Sequence, residues 1–476
     1  MDKTIKHFSI RSKRFLPPLG IGCVLLMIAI ATVSTACTDI IEKEPILDTS
    51  VSSIFSSKSA IETYLEGVYK RLGEVMPNYV YQSDMRGDDF DDPVQNGGLS
   101  ANDMNLSVSD TSAPWNGFYQ AIGEANDFIG NLDAVKEIAG KDYDRYKSEA
   151  KFVRALSYYY LVVLYARTYH LNPKANAIPL RTETPESSTN NLAPSSIEKI
   201  HEQILSDLSD ENIANLSTER NSVKGVTHAT QAAAHALRQR IYMEEWNWDK
   251  TIEEGLAIKG YALGSLTAIF AAPYYTEESI FSFPYSVNNP NGIAKNEYQG
   301  SWAVLEDFYS GIYSIPEYAA ETDIRKAQLT HHPTARLATR KYSDLSGGGD
   351  WIPVFRYAET LLNLSEAYIN RGNEGDEEIA KEYLRQVRSR SITAEDDPIN
   401  IDELSGENLK AAIYNERRTE FAGEGLRSID IHRRGDAFIK KVGSNKELNV
   451  KPADYGYIWP IPLSETSQNK LIKADN

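Results

Sequence analysis

ATQAAAHALRQRIYMEEWNWDKTIEEGLAIKG, residues 229–260, decides the fold class. Ala229, Ala233, Leu237 and Ile241 recur every fourth residue and so share one stripe of a helix. Trp248, Ile252 and Leu256 repeat the spacing, so the stretch reads as two consecutive helices, and the small residues on the first let the pair approach closely.

Residues 354–390 have the same design. Ala358, Leu362 and Ser365 mark one helix, Ile379, Tyr383 and Val387 the next, and Arg371-Gly372-Asn373 reverses the chain between them. Such pairs resemble tetratricopeptide repeats, whose units bury their faces only by stacking on neighbours. Further out, Ala150, Val153, Leu156, Tyr160 and Leu164 line one face of a helix within 149–169. Ser59 with Glu62, and Ser195 with Glu198, read as capping boxes that open two more helices. Between the helices lie 76–116, rich in Asp, Asn and Gly, then 170–195, and 271–350, rich in Tyr, Pro and Gly. Loops this long in a compact chain usually carry function. The expected fold is all-α, with tetratricopeptide-like helix pairs, long ligand-binding loops and little β structure.

The first forty residues are of another kind. Lys3, Lys6, Arg11, Lys13 and Arg14 precede an apolar run from Phe15 to Val33, which ends in Ser34-Thr35-Ala36-Cys37. This is the layout of a secretory signal. Nineteen residues also suffice for a permanent membrane helix, a reading that Pro17, Pro18, Gly20 and Gly22 weaken. Cys37 after small residues resembles a bacterial lipobox, with Ser34 where Leu is usual. Lipidation there implies several acyl chains, because a single chain anchors only marginally. The expected organisation is a signal peptide over 1–36, an acidic tether over 37–50, and two halves, 51–270 and 271–476, packed as one continuous unit.

Composition removes several function classes. The 476 residues are 41% hydrophobic and 25% charged, as in a soluble globular protein, and the formal charge is −17. Nucleic-acid affinity comes largely from Lys and Arg neutralising phosphates, so no nucleic-acid partner is expected. Cys23 and Cys37 are the only cysteines, and Cys23 lies within the apolar run, so the mature body has neither a disulfide nor a CxxC metal pattern.

Motifs that suggest chemistry have structural readings that fit better. Ala412, Glu416 and Glu420 share a stripe in ERRTEF, beside Leu409, Ile413 and Phe421. Carboxylates at that spacing repel unless cations attend them, and Arg356, Arg388 and Arg417 are the candidates for a packing network. Asp84, Asp88, Asp89, Asp91 and Asp92 lack EF-hand spacing and read as a solvated acidic loop. Arg86-Gly87-Asp88 is a chance adhesion tripeptide. Gly347-Gly348-Gly349 lacks the Lys of a P-loop and reads as a turn. His331-His332 lacks a metal frame. No cofactor, metal or catalytic residue is expected.

Five segments carry a family resemblance: WNGFYQAIGEANDFI from Trp115, SEAKFVRALSYYYLVVLYA from Ser148, PVFRYAETLLNLSEAY from Pro353, NERRTEFAGEGLRSIDIHRRG from Asn415, and IWPIPLSETSQN from Ile458. In order and type they resemble the SusD/RagB family. That resemblance implies a helical fold on tetratricopeptide-like units, lipid attachment to the outer membrane, a TonB-dependent, SusC-like barrel transporter as partner, and a glycan or sometimes a peptide as cargo.

Tyrosine bears on the ligand, with 28 Tyr against 14 Phe. A phenol suits sites with one apolar and one wet edge, as a sugar requires. Tyr69, Tyr158, Tyr160, Tyr357 and Tyr368 fall on helices and read as packing, whereas loop aromatics are candidates for binding. The expected ligand surface is Tyr79, Tyr81, Arg86, Asp88 and Asn96 in the first loop, with Tyr285, Tyr298, Trp302 and Tyr309 in the later one. Trp115 belongs to the shared signature. The leading reading is a surface receptor for oligo- or polysaccharide and not an enzyme. Its alternatives are a peptide receptor of the same family, a tetratricopeptide scaffold that binds only protein, and a surface glycan hydrolase.

Overall fold

Ser57 opens the first helix, its Oγ accepting the Ala60 N–H at 3.2 Å, and α1 runs from there over Lys58–Arg86. The protein is described here by a computed structural model covering residues 54–91, 101–184, 191–294, 303–304, 322–331, 337–442 and 446–472. Helices α2 (Ser112–Leu132), α3 (Tyr143–Tyr165) and α4 (Ile197–Asp207) follow, then α5 (Gln231–Glu244) and α6 (Trp248–Ala257). After a loop-rich stretch come α7 (Tyr357–Arg371), α8 (Asp376–Arg388), α9 (Gly406–Glu420) and α10 (Arg427–Arg434).

The helices stack in series, α1 on α2, α2 on α3, α3 on α4, α5 on α6, α6 on α7, and α7 on both α8 and α9. Stacking of this kind buries faces that no single pair could cover, and Phe55–Asn476 make one unit. Gly255 shows how tight it is. A Cβ there would stand 2.4 Å from Gln239 Nε2 and 2.7 Å from Leu364 Cδ2, so α6 is wedged between α5 and α7. Gly372 takes φ +70° at the end of α7, the left-handed turn that reverses the chain into α8.

The helical class holds, with small sheets as trim. Strand Ser279–Phe283 pairs antiparallel with Ile352–Arg356, setting Ser279 opposite Arg356. Phe438–Val442 pairs with Lys446–Val450.

Three helices differ from their expected form. The periodicity of α3 predicts one apolar face, yet from Ser148 to Tyr165 every residue except Lys151 is buried, because α1, α2 and α4 surround it. In the pairs, Leu256 and Ile379 are exposed, while Ile252, Leu362 and Val387 are core. The caps also shift by one or two residues. Ser57 caps α1 instead of Ser59, and Ser196 caps α4 through the Lys199 N–H instead of Ser195.

The segment beginning at 76 is not a loop throughout, since α1 continues through Pro77 to Arg86. Its acidic end is not solvated either. Asp84 accepts the Gly425 N–H at 3.0 Å, Asp88 accepts Arg427 Nη2 at 2.8 Å, and Asp89 accepts Arg418. These partners come from more than 300 residues downstream.

The C-terminal segment closes the helical layer. Trp459 N–H donates to Leu164 O at 2.8 Å, Thr111 Oγ1 to Pro460 O at 2.9 Å, and Trp115 Nε1 to Glu465 at 3.4 Å. The ending from Trp459 is therefore a clasp on α2 and α3.

The ERRTEF carboxylates form a saturated network. Glu420 accepts Arg356 at 2.6 Å, Arg390, and Arg325 at 3.3 Å, and Glu416 accepts Arg325 at 2.6 Å and Arg388 at 2.9 Å. Arg417 turns instead to Asp430, at 3.0 Å. Burial alone would raise the Glu420 carboxyl, but the guanidiniums of Arg390, Arg356 and Arg325 overcome it and hold the group well below the carboxylate range.

Candidate functional site

α1 presents Glu62, Glu66, Lys70, Gly73, Glu74 and Pro77 at spacings of three and four, which lays them along one side of the helix. Two cavities open there. The larger, about 560 Å³, lies between this stripe and the turn after the strand Ser279–Phe283, and is walled by Phe283, Pro284, Tyr285, Asn289 and Asn291. The smaller, about 220 Å³, lies toward the start of α1 and is lined by Glu62, Arg145, Glu149, Lys224 and His228. Glu66 belongs to both, so they are chambers of one groove.

A local defect in α1 builds the larger chamber. Pro77 has no N–H, which leaves the Gly73 carbonyl without its helical donor. Tyr285 supplies one, its hydroxyl donating to Gly73 O at 2.5 Å. Gly73 also lets the strand come near, because a Cβ there would sit 3.1 Å from Phe283 Cδ1. Phe283, Pro284, Tyr285 and Pro77 thus make an apolar floor. At its rim stand the amides of Asn78 and Asn289, neither of which is engaged among the described residues. Asn291 is used structurally, donating to Asp350 O at 2.7 Å.

The smaller chamber is charged and ordered. Tyr69 OH donates to Glu149 Oε2 at 3.0 Å and accepts the Ala229 N–H at 2.8 Å, while Arg145 Nη1 donates to Glu149 Oε1 at 2.5 Å. Burial raises the Glu149 carboxyl above its usual range despite these partners. His228 Nε2 lies 2.8 Å from Glu66 Oε1, and that hydrogen bond lowers the Glu66 carboxyl. Tyr146 OH donates to Glu62 at 2.7 Å. Among the described residues no group of His, Cys, Asp and Glu has the makings of a metal site.

Among the described residues expected to bind ligand, Tyr285 alone lines this groove, and as wall and latch, since it is 8% exposed with its hydroxyl engaged. Tyr79 is buried against Phe118 and Tyr160, with ring centroids 5.8 and 4.2 Å away, and Tyr81 is buried too. Arg86 is 1% exposed, donates to Val163 O at 3.0 Å and also to Tyr457 O, and sits 4.9 Å over Phe438. Asp88 is tied to Arg427. The structure places Tyr79, Tyr81 and Arg86 in the core, because α1 carries them inward instead of onto a loop, and puts Asp88, just past the end of α1, in an ion pair. Asn96, Tyr298, Trp302, Tyr309 and Cys37 lie outside the described residues. Missed in sequence were Asn78, Asn289, Phe283 and His228. The turn-rich NNPNG at 288–292 is the signal that could have found two of the walls.

Comparison with known proteins agrees with this architecture. Residues 237–476 match the family model described as SusD family, and 41–243 match that described as starch-binding associating with outer membrane. A SusD superfamily protein of Bacteroides fragilis is 44% identical, with a TM-score of 0.82 over 88% of this chain and 100% of its own. Another, from Bacteroides thetaiotaomicron, shares the fold at 22% identity and a TM-score of 0.77, over 88% of this chain and 100% of its own. SusD-like protein P25 of Formosa agariphila is 22% identical over 92% of this chain and 95% of its own. With one family model spanning half the chain and a relative matched over its entire length, the chain belongs to the SusD family.

Proposed function

We propose that this protein is a surface nutrient receptor that captures oligo- or polysaccharide and passes it to a TonB-dependent, SusC-like transporter of the outer membrane, to which acylated Cys37 holds it. The observation that carries the reading is the larger chamber: an apolar floor of Phe283, Pro284 and Tyr285 beneath the unengaged amides of Asn78 and Asn289. A sugar offers the complement, an apolar C–H face and a rim of hydroxyls, and each amide supplies two donors and an acceptor. The family description, starch-binding and associating with outer membrane, supports both the cargo and the location.

Binding without turnover is the expected activity. Hydrolysis of a glycosidic bond requires one carboxyl group free to give a proton and another placed across the bond. Glu149, a groove carboxyl that burial raises, has both oxygens occupied by Tyr69 and Arg145.

Titration calorimetry of residues 38–476 against neutral and acidic polysaccharides and peptides tests the reading, with recovered ligand assayed for new reducing ends. Saturable binding of an intact glycan class is expected. Binding of peptides only, or release of reducing ends, overturns it.

A further inference from the structure

A second groove of nearly the same size lies across α1 from the first. It is an open cavity of about 550 Å³ lined by Asn116, Tyr119, Gln120 and Asp127 of α2, by Arg181, and by Gln468 near the C-terminus. Its wall is rigid. Tyr119 OH donates to Pro179 O at 2.7 Å, the Arg181 guanidinium lies 4.6 Å over the Tyr119 ring, and Arg181 is itself held by Glu465 at 2.8 Å. In front of that wall stand the exposed amides of Gln120 and Gln468, neither engaged among the described residues.

The two grooves meet at one side chain. Arg71 donates Nη1 to Glu74 at 2.7 Å and Nε to Glu124 at 2.8 Å. Glu74 lines the first groove and Glu124 the second, so the ridge between them is a single half-exposed ion-paired triad. On either side of it the recognition chemistry repeats, with two unengaged amides beside a fixed aromatic wall.

We infer that the groove of Tyr119, Gln120 and Gln468 is a second subsite for the same polymer, and that a glycan long enough to cross Arg71 is held at both. This inference rests on the glycan-receptor reading above. Repeated chemistry suits a ligand made of repeated units, and a chain held at one groove presents its far end to the other at high effective concentration. The charge balance narrows the class to neutral glycans. The two chambers of the first groove carry five glutamates against Lys70, Arg145 and Lys224, and both carboxylates of the ridge consume Arg71. A polymer bearing a uronate or sulfate on each unit would meet a net excess of like charge along this path.

The test is a length series of neutral oligosaccharides titrated into the full mature chain and into the Gln120→Ala/Gln468→Ala variant. Both substitutions are on the surface, so circular dichroism and melting should match the parent. For the parent, affinity should climb by at least about tenfold once the chain spans both grooves. The variant should keep the first groove's binding of short chains and lose that climb. A variant that matches the parent at every length overturns the second subsite while leaving the receptor reading intact. If the parent binds no glycan of any length, the receptor reading itself fails, and the inference with it.

Discussion

Glu420 and Glu66 are the same residue on surface-capable helices, each within reach of several basic side chains, and their surroundings differ in one respect. Around Glu420 the carboxylate oxygens are filled by Arg356, Arg390 and Arg325, and the group is fully buried. Around Glu66 there is open volume on two sides, and the neighbouring Asn78 and Asn289 have hydrogen-bonding capacity left over. Charge density therefore does not distinguish architecture from binding in this protein. What separates the two regions is whether hydrogen-bonding capacity is used up. Glu244 makes a third case, buried at 2% exposure with Oε1 unbonded, and burial pushes its carboxyl up to about 8.

Breaking the saturated region should have the largest effect. Arg356→Ala strips Glu420, Glu424 and Glu278 of a shared cation and should destabilise by about 3–5 kcal/mol in urea titrations. A loss below about 1 kcal/mol would mean that the network is replaceable.

Glu244 comes next, and its effect depends on pH. Its folded pKa lies above the ordinary 4.5, so the native state holds the proton more tightly than the unfolded chain does. The resulting stability is whole below pH 4.5 and is lost as pH rises through about 8. Glu244→Gln should therefore melt close to the parent at pH 4.5 and above it at pH 9, by an amount on the order of 2–4 kcal/mol. Parallel melting curves at the two pH values would refute the buried-acid reading.

The smallest change is at the groove's latch. Tyr285→Phe leaves the Gly73 carbonyl without a donor and should cost about 1–2 kcal/mol. In a Pro77→Ala background the helix supplies its own N–H, so the same substitution should cost less. Equal costs in the two backgrounds would show that the hydroxyl is not filling the gap left by proline.

The helix pairs are legible in residues 229–260 and 354–390 because their information is local, carried by spacing and by a glycine turn such as Gly372. The network around Glu416 and Glu420 is half legible. The stripe predicts that cations must attend it, and Arg356 and Arg388 do, but Arg417 on the same helix goes to Asp430. The ligand surface is the least legible part. Tyr79, Tyr81 and Arg86 follow a proline in a stretch rich in Asp and Asn, which reads as loop. The helix continues through it, and a hydroxyl 212 residues away bonds the Gly73 O that the proline leaves open. Asp88 and Asp89 look solvated for the same reason, their arginines lying more than 300 residues downstream. Local pattern carries no trace of partners at such distances.

The clasp formed by residues 459–465 has a consequence for the order in which the protein can be made. Helices α1 to α3 emerge before the clasp during synthesis, yet the Leu164 carbonyl, the Thr111 hydroxyl and the Trp115 indole N–H take their hydrogen-bond partners from the final segment of the sequence. The first third of the protein must therefore wait, half-finished, for the last 18 residues to arrive. A truncation that removes the end is in effect a lesion at the beginning, and a nascent chain lacking its tail remains open to proteases at its N-terminal helices.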